Sequence, residues 1–593
     1  MSQYDIVVVG GGHAGIEAAT TISNFNLNVL LITFDKNKIG FPSCNPSIGG
    51  IGKSHLVFEL DVLSGSMPLL ADNCGIHFKL LNSSKGPAVW SLRAQIDSDT
   101  YPKNALKILE NFKNLSIVED EVVEIIIDEN KVKGVKLEKA GLVKTEYVII
   151  CSGTFLGGKI FIGKEQISGG RFSEKSSLKL AESLKKTGIQ LIRLKTGTSP
   201  RLQKKSVDFS KMEEQKGEDN TGSFSILTQK VENKISCYIT RTNENTHKTI
   251  RDNLHLSALY SGKIEGKGPR YCPSLEDKIV KFSERSSHTI FIEPMGVENE
   301  LVYVNGASSS LPVEVQYEYI HSIKGLENSV FVQPGYAIEY DALKSKQIKP
   351  TLEHKSIKGL FFAGQINGTS GYEEAAAQGY VAGLNAALSF LRKEEIIFDR
   401  FNSYIGVLID DIIKKDLTEP YRLFTSRSEN RLFLRQDNSF LRLKDIVEKL
   451  KFNDKRSELY KKLFEETEEL KNFIYQDKEN FILKKNFEFL KDPSFPYEDL
   501  KKLLPEFSER ALIFIYSENK YRGYIEKYKR ITKIILENGE KLIKDKNRLL
   551  SSPIISKEAK EILSKYDVEK IKDLYGLIDP SDIENIIVVL KKI

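Results

Sequence analysis

The chain has 593 residues, of which 40% are hydrophobic and 28% are charged. One hydrophobic core does not organise a chain of this length, so two to four domains are expected, and the composition excludes global disorder. The net charge of +6 is too small to indicate nucleic-acid binding by itself, so such binding must rest on local patches.

The cysteines and the amino-terminal segment indicate the compartment. The chain has five scattered cysteines and no CxxC pair, which argues against a disulfide framework or a structural zinc site. The histidines show no metal-ligand spacing either. The first apolar strand begins near Tyr4, which leaves no room for a leader peptide, and no apolar run approaches the roughly 20 residues of a membrane span. We therefore predict a cytoplasmic protein with reduced thiols.

The first predicted element is a βαβ unit. The apolar run Ile6–Val9 predicts a strand, residues 14–24 a helix and residues 29–32 a second strand. Between them, GGGHAG at 10–15 matches the dinucleotide-binding pattern, in which Gly10 permits a tight turn, Gly12 admits a pyrophosphate and Gly15 allows close helix packing. The nearest acid after the second strand is Asp35, so the pattern indicates phosphate binding more strongly than ribose recognition.

Two later glycine turns favour FAD over NAD. A hairpin is predicted at 122–127 and 132–137, returning to a central parallel sheet through a strand at 147–151 that ends in the turn at Gly153. A strand at 359–363 ends at Gly364, and a helix is predicted from about 372 to 391. Three glycine turns in this order are typical of flavoproteins. The predicted fold class is α/β, with an FAD-binding two-dinucleotide, Rossmann-like fold.

We predict four segments along the chain. Residues 1–200 and 335–395 form the two parts of the FAD-binding domain. Residues 201–334 are polar and loop-rich, with short strands near 236–240 and 289–292, and are expected to form an inserted α+β domain. Residues 396–593 carry apolar residues at helical spacing, as in 445–470 and 525–549, and predict a C-terminal all-α domain.

Two loops present cysteines. Residues 42–54 end in Gly-Lys-Ser, but Ser47 stands where a phosphate-binding loop requires glycine and no strand precedes the segment, so we reject that interpretation. The alternative is a rigid Pro/Gly loop that exposes Cys44, although most single cysteines are simply buried. Residues 262–274 form a second such loop, in which Lys267 and Arg270 favour the thiolate of Cys272 unless the turn is merely solvated.

Basic residues cluster in the C-terminal third. Residues 520–530 interleave tyrosine with lysine and arginine, and Arg427, Arg431 and Arg435 recur at a spacing of four. Both patterns suit the tracking of phosphates along a helix. A solvated helix face is the alternative interpretation of both.

Long segments throughout the chain resemble one family. They are GGGHAG at 10–15, SCNPSIGGIGK at 43–53, SKGPAV at 84–89, RLKTGTSPR at 193–201, GPRYCPSLEDK at 268–278, PGYAIEYD at 334–341, GQINGTSGYEEAAAQG at 364–379, EPYRLFTSR at 419–427 and KYRGYI at 520–525. In this order they resemble the family of the tRNA uridine 5-carboxymethylaminomethyl modification enzyme, MnmG or GidA.

The resemblance implies a reaction and its participants. It implies a homodimer that binds FAD, uses NADH and works with the GTPase partner MnmE, in a heterotetramer, on C5 of the wobble uridine of tRNA. By the same resemblance, methylenetetrahydrofolate is expected to supply the one-carbon unit and glycine or ammonium the nitrogen. The inserted domain at 201–334 is expected to serve NADH or substrate, and the helical domain at 396–593 partner and tRNA binding. C5 becomes nucleophilic only when a thiolate adds at C6, and a flavin adjusts the oxidation state.

The resemblance also implies site residues. The expected FAD contacts are Gly10, Gly11, Gly12, His13, Ala14, Gly15, Val122, Ser177 and Gln365. The expected nicotinamide-dinucleotide region is 268–282, with Gly268, Pro269, Arg270 and Tyr271. Cys44 and Cys272 match the two cysteines implicated in function, without a division of their roles. No metal is expected.

Three alternatives remain open at this point. A folate- and FAD-dependent tRNA uridine-5-methyltransferase shares the flavin fold and the target base, but it is shorter and lacks the C-terminal third. A small-molecule flavin dehydrogenase explains the glycine turns but not that third. A non-catalytic tRNA-binding flavoprotein is the third alternative.

Overall fold

The computed structural model describes residues 4–268, 273–452, 454–475, 492 and 494–591. The chain divides into two compact units. The first comprises Met1–Leu81, Ser91–Ile397 and Ile412–Leu423, and the second comprises Asn82–Trp90, Phe398–Asp411 and Phe424–Ile593. The predicted segment boundaries at 200, 334 and 395 stay predictions.

A five-stranded parallel sheet lies at the centre of the first unit. In spatial order its strands are Leu360–Phe362, Val148–Ile150, Ile6–Val9, Val29–Thr33 and Leu115–Glu119. Almost every residue of the first four strands is buried, as expected for a parallel sheet that is covered on both faces. The first strand of the chain lies in the middle of the sheet, as in a dinucleotide-binding fold. The predicted fold class is confirmed.

Four antiparallel sheets complete the described β structure of this unit. In spatial order, the first has the strands Glu165–Ser168, Lys159–Ile162, Tyr336–Leu343 and Leu191–Thr198. The second has six strands, Glu213–Gln215, Cys237–Arg241, Thr289–Pro294, Leu301–Asn305, Arg201–Gln203 and Phe331–Gln333. The third has Ser47–Gly49, Ser91–Ile96 and Gly75–Leu81, and the fourth has Val122–Asp128, Lys131–Leu137 and Gly141–Lys144. The strands predicted near 236–240 and 289–292 are confirmed. The predicted hairpin is also present, but a third strand, Gly141–Lys144, extends it into a sheet of its own.

The helices of the first unit pack against these sheets. They are His13–Ser23, Lys53–Val62, Met67–Cys74, Thr100–Glu110, Leu178–Lys186, Glu244–Asp252, Leu275–Lys281, Val313–His321 and Tyr372–Phe390. In the six-stranded sheet, Ile292 and Val304 share a buried core with Tyr319 of the helix Val313–His321. None of the helices in the described part of the chain combines the length and the hydropathy that crossing a bilayer requires.

Two helices cross at very short range because both carry small residues at the crossing. A Cβ atom at Gly379 would lie 2.1 Å from the carbonyl oxygen of Ala14, and one at Gly383 would lie 2.7 Å from that of Ala18. The helix Tyr372–Phe390 therefore lies directly on the helix His13–Ser23. Only residues without a side chain at 379 and 383 permit this approach.

The second unit is helical. Its helices are Ser439–Arg442, Lys444–Leu450, Lys455–Tyr475, Tyr497–Leu503, Glu509–Asn538, Lys546–Ser551, Lys557–Lys565 and Pro580–Lys591, and the helix Tyr404–Lys414 begins in it. The guanidinium of Arg400 is buried within it, and its nitrogens lie 2.7 Å from Asp410, 3.0 Å from Asp411 and 2.7 Å from Glu429. A buried charge requires such partners, so this cluster ties three chain segments together.

Two of the family-like segments meet inside this unit. The hydroxyl of Tyr521, from KYRGYI, accepts a hydrogen bond from the backbone N–H of Ala88, from SKGPAV, at 3.3 Å. A Cβ atom at Gly86 would lie 2.8 Å from the same hydroxyl. Gly86 has a φ of +93°, which also favours glycine. Tyr521 thus holds the short loop Asn82–Trp90 against the helix Glu509–Asn538.

The hypothesis of three exposed, helically spaced arginines is wrong. Of that segment only Thr425–Arg427 is helical, as a single 3₁₀ turn. Arg435 is fully buried, 2.9 Å from Asp437 and 3.0 Å from Glu518. Because both carboxylates neutralise it inside the unit, Arg435 is a structural cation and is not available to a phosphate.

Candidate active site

Each glycine of the GGGHAG loop has a distinct environment. Gly10 has a φ of +106°, and a Cβ atom there would lie 2.3 Å from the carbonyl oxygen of Cys151. A Cβ atom at Gly15 would lie 1.8 Å from the oxygen of Gly10, whereas one at Gly12 would have no atom of the structurally described part of the chain within 4 Å. Gly10 and Gly15 therefore serve the fold, and Gly12 borders open space at the N-terminus of the helix His13–Ser23. Free N–H groups at such an N-terminus suit a phosphate.

His13 lies beside this space as a neutral base. Its ring stacks on Tyr372, with the ring centroids 4.4 Å apart. Burial, and then the charge of Lys53, lowers the pKa of His13 to about 3. Within the described residues, its buried Nε2 has no hydrogen-bond partner, and neither has the buried Oγ of Ser152. Buried polar atoms of this kind are rare without a bound ligand or water, so both fit a site for a polar ligand.

Further predicted cofactor residues lie along one edge of the sheet. Because the five strands are parallel, their carboxyl ends share this edge, where such folds bind dinucleotides. Gln365 follows the strand Leu360–Phe362, and its Oε1 would lie 3.5 Å from a Cβ atom at Gly153. Val122 follows the strand Leu115–Glu119 and is buried. The structure thus brings Gln365 and Val122 to the edge that holds the glycine loop.

Ser177 and Asp35 are placed differently. The backbone N–H of Ser177 donates to the oxygen of Phe155 at 2.8 Å, which ties it to the chain just after Gly153. Asp35 caps the turn Lys36–Lys38 by accepting from the N–H of Asn37 at 2.9 Å. Asp35 therefore has a local structural role, in keeping with the weak expectation for ribose recognition.

Cys44 is held in a polar environment and remains half-buried. Its backbone N–H donates to the hydroxyl of Tyr372 at 2.8 Å, and its Sγ lies 3.3 Å from the hydroxyl of Tyr303 and 3.7 Å from the carbonyl oxygen of Gly197. Burial raises the pKa of both tyrosines well above the ordinary value. Both phenols are therefore neutral hydrogen-bonding groups around the thiol.

Arg201 is a buried residue that donates a hydrogen bond to the same loop. One guanidinium nitrogen donates to the carbonyl oxygen of Ser43 at 2.7 Å, and the other donates to the hydroxyl of Thr198 at 2.9 Å. The guanidinium carbon also lies 5.1 Å from the centre of the Tyr303 ring. Arg201 is 4% exposed, so it acts as a buried cation beside the Cys44 loop.

Lys53, at the end of the Cys44 loop, forms ion pairs with two carboxylates of the helix Tyr372–Phe390. Its Nζ lies 2.8 Å from Glu373, which also accepts the N–H of Gly49 at 2.6 Å. The neighbouring Glu374 lies 3.7 Å from Lys53 and accepts the N–H of Leu423 at 3.0 Å, and burial raises its pKa. Since two carboxylates surround Lys53, the rejection of a phosphate-binding loop agrees with the structure. The first turn of the helix Tyr372–Phe390 anchors the loop instead.

The other described cysteines differ sharply from Cys44. Cys74, Cys151 and Cys237 are buried. Burial raises the pKa of Cys74 to about 11 and that of Cys237 to about 12, and it also raises the pKa of Cys151. A thiol with so high a pKa is a poor nucleophile at neutral pH.

The second cysteine loop is described only in part. Pro269, Arg270, Tyr271 and Cys272 lie outside the described residues. Gly268 precedes them, and a Cβ atom there would lie 3.2 Å from the side chain of Lys195. After them the helix Leu275–Lys281 begins, with the hydroxyl of Ser274 accepting from the N–H of Asp277.

Sequence patterns alone missed Tyr303 and the roles of Arg201, Tyr372 and Glu373. Tyr303 occupies an ordinary strand, Leu301–Asn305, and no local signal distinguishes it. Arg201 and Tyr303 are direct partners across two antiparallel strands, which only the sheet register reveals. Tyr372 and Glu373 were visible only as the start of a helix.

Comparisons with known proteins agree with this architecture. The family model described as Glucose inhibited division protein A matches residues 5–394. Two curated proteins named tRNA uridine 5-carboxymethylaminomethyl modification enzyme MnmG are similar to this chain. The one from Buchnera aphidicola subsp. Cinara cedri is 45% identical, and the match covers 100% of this chain and 98% of that protein. The one from Thermodesulfovibrio yellowstonii is 44% identical, and the match covers 99% of this chain and 98% of that protein.

Solved structures extend the similarity to three dimensions. Aquifex aeolicus GidA in its form I crystal matches with a TM-score of 0.87 and 42% identity, covering 99% of this chain and 100% of that one. The form II crystal gives a TM-score of 0.85 and 40% identity, covering 99% and 98%. These matches include the helical second unit as well as the dinucleotide-binding sheet. This chain belongs to the GidA family, whose curated relatives bear the name MnmG.

Proposed function

We propose that this protein modifies C5 of the wobble uridine of tRNA, using FAD and NADH together with a GTPase partner of the MnmE kind and a methylenetetrahydrofolate carbon. The observation that carries the proposal is a half-buried cysteine, Cys44, held next to a dinucleotide-binding edge in a chain of this family. We further propose that it acts in the cytoplasm, as a homodimer that forms a heterotetramer with that partner.

The residues present fit FAD. The open space at Gly12, the helix N-terminus behind it and the orphaned Nε2 of His13 suit a pyrophosphate and its neighbouring groups. Residues 10–15, Val122, Ser177 and Gln365 are the proposed contacts. When bound, the flavin would supply two-electron redox chemistry, with NADH as its reductant. We propose that residues 268–282 bind the nicotinamide dinucleotide.

The chain's own residues would activate the base. In the proposal a cysteine thiolate adds to C6 of the uracil ring, so that an S–C6 bond forms and the electrons of the C5=C6 bond move toward the C4 oxygen. C5 then attacks the folate-derived carbon, tetrahydrofolate leaves as the C5 proton is removed, and the nitrogen of glycine or ammonium adds to that carbon. Loss of the thiolate from C6 then restores the C5=C6 double bond. Cys44 and Cys272 share the tasks of nucleophile and proton carrier.

Mass spectrometry of tRNA tests the function directly. Wobble uridines from a strain that lacks this protein should lose the aminomethyl-type group at C5 and regain it when the gene is restored. Loss of 5-methyluridine instead would support the methyltransferase alternative. An unchanged set of modified uridines would overturn the proposal and favour a small-molecule flavin dehydrogenase.

The helix Glu509–Asn538 carries the surface that we propose for tRNA. Arg522, Tyr524, Lys527 and Arg530 are exposed, and Tyr524 is 67% exposed. Gly523 lies between them, and a Cβ atom there would meet nothing within 4 Å. Glycine in a helix interior costs about 1 kcal/mol relative to alanine, and no contact with the described residues requires it here. A close approach by the phosphate backbone of tRNA fits this arrangement. We also propose that the second unit binds the GTPase partner.

Salt dependence of tRNA binding tests this surface. Replacing Arg522 and Lys527 by glutamine should make the plot of log affinity against log salt shallower by about two units, because each lost phosphate contact removes nearly one. The control replaces the exposed Lys461 and Lys462 of another helix by glutamine and should leave the slope unchanged. Equal slopes for the wild type and the Arg522/Lys527 variant would exclude this face as the tRNA surface.

A further inference from the structure

Tyr303 is the side chain that hydrogen-bonds to the Cys44 thiol in the described part of the chain. Tyr303 is 2% exposed, and its hydroxyl lies 3.3 Å from Cys44 Sγ. The same hydroxyl lies 3.4 Å from Thr198 Oγ1 and accepts a hydrogen bond from the N–H of Ser199 at 3.1 Å. Three polar groups therefore converge on one phenol oxygen.

The chemistry of these groups fixes the direction of the hydrogen bonds. A guanidinium and a backbone N–H only donate, so Thr198 Oγ1 accepts from Arg201 and the Tyr303 oxygen accepts from Ser199. The proton of Thr198 is then free to donate to the second lone pair of the Tyr303 oxygen. The phenol is neutral, since burial raises its pKa, so its own proton remains for Cys44 Sγ.

The result is a chain of donors that ends at the sulfur atom. It runs from Arg201 through Thr198 and Tyr303 to Cys44. When the sulfur is protonated, its S–H has the carbonyl oxygen of Gly197 as an acceptor at 3.7 Å. When it is a thiolate, it accepts the Tyr303 proton. Among the described residues, Cys44 interacts electrostatically with Tyr303, Tyr372 and Tyr336, and the charge of Arg201 acts on all three of these phenols.

We propose that Tyr303 is a positioning residue that stabilises the thiolate of Cys44 and aims it, supported by Arg201 through Thr198. This inference deepens the proposed function and rests on it for the role of Cys44. The sheet register provides the rigidity, because Tyr303 pairs with Arg201 on one side and with Glu293 on the other. Neither the loop of Cys44 nor the strand of Tyr303 builds this arrangement alone.

The test measures the thiolate without tRNA. In Tyr303→Phe, iodoacetamide should alkylate Cys44 about tenfold more slowly at pH 7.5, because a hydrogen bond to a charged group is worth more than a neutral one. The pH at half-maximal rate should move upward by about one unit, tenfold in rate being one unit of pH. Peptide mass spectrometry assigns the label to Cys44, and the FAD content should stay unchanged.

Matched variants separate positioning from folding. Tyr319→Phe removes another buried hydroxyl, which donates to Ala307, and should leave the alkylation rate unchanged. Thr198→Val breaks the chain one step earlier and should slow alkylation partly, whereas Thr198→Ser should restore the rate. If Tyr303→Phe fails to fold, the Thr198 pair decides.

Two outcomes distinguish this proposal from the proposed function. Wild-type alkylation rate and pH profile in Tyr303→Phe, or in Thr198→Val if the first variant does not fold, would overturn the role of Tyr303. Full tRNA modification by a Cys44→Ser protein would instead overturn the role of Cys44 in the reaction. In that case the slower alkylation would still report what Tyr303 does to the thiolate.

Discussion

Replacing Cys44 by serine is expected to abolish tRNA modification while the fold and the bound FAD are retained. Removing a nucleophile usually costs a factor of about a thousand or more, because a hydroxyl is hardly ionised at neutral pH. Serine keeps nearly the same size, and its Oγ retains Tyr303 and the carbonyl of Gly197 as partners. Modified uridine, flavin content and thermal unfolding are measured on the same preparation.

The buried cysteines provide the control. Cys74, Cys151 and Cys237 are each replaced by alanine, which leaves no unpaired hydroxyl in an apolar site. These variants should lose some stability and keep modification. Cys272→Ser should behave as Cys44→Ser does, an expectation that rests on its sequence environment. Near-normal modification by Cys44→Ser would leave Cys44 as a structural thiol.

Replacing Gly12 by tryptophan should remove FAD from a protein that still folds. A Cβ atom at Gly12 meets no atom of the described residues within 4 Å, and the backbone φ of −75° suits any residue. An indole would occupy the space proposed for the pyrophosphate, and overpacking of about 3 kcal/mol would weaken binding by roughly a hundredfold. The ratio of flavin absorbance to protein measures the effect.

Gly15→Ala is the contrasting variant. Its Cβ would lie 1.8 Å from the oxygen of Gly10, so the loop and the helix cannot both keep their positions. This variant should lose thermal stability together with FAD, whereas Gly12→Trp should lose FAD alone. A stable Gly12→Trp protein with a full complement of flavin would refute the assignment of this loop to the cofactor.

Local patterns predicted the nucleotide-binding strands and helix well, because the conformation of each element is determined by residues close to it in the sequence. Ile6–Val9 and the helix after it depend on a buried β-branched run and three glycines within a few residues. The strands Lys159–Ile162, Leu191–Thr198 and Tyr336–Leu343 were missed, because they are short or interrupted by charged residues such as Arg193 and Glu339, which pair with each other across the sheet. Such pairings leave no local periodicity.

The helical third shows the limits of spacing rules. The helically spaced stretch 445–470 contains two helices, since Lys451 adopts a left-handed conformation with a φ of 54° that ends Lys444–Leu450. Apolar spacing continues across that break and hides it. Arg435 looked like a surface cation, but its charge is neutralised by Glu518, which lies far along the chain.

The Cys44 loop of the site was predictable from the sequence, but the side chains around the thiol were not. Pro and Gly around Cys44 indicated a rigid loop that presents a thiol, and Cys44 is indeed the least buried of the four described cysteines. Tyr303 is brought to it by the register of two strands, so no pattern within either segment reveals the contact. Side chains that tune a reactive group need not lie in any recognisable motif.

The crossing of the helices His13–Ser23 and Tyr372–Phe390 has a consequence for sequence divergence. A Cβ atom at Gly379 would meet backbone atoms of Ala14, and one at Gly383 would meet backbone atoms of Ala18, so no substitution at 14 or 18 can compensate for a side chain at 379 or 383. The glycine signature of this nucleotide-binding fold therefore has two halves at opposite ends of the first unit's sequence. A sequence pattern that covers only the amino-terminal half would also match chains in which the second helix cannot pack against the helix His13–Ser23.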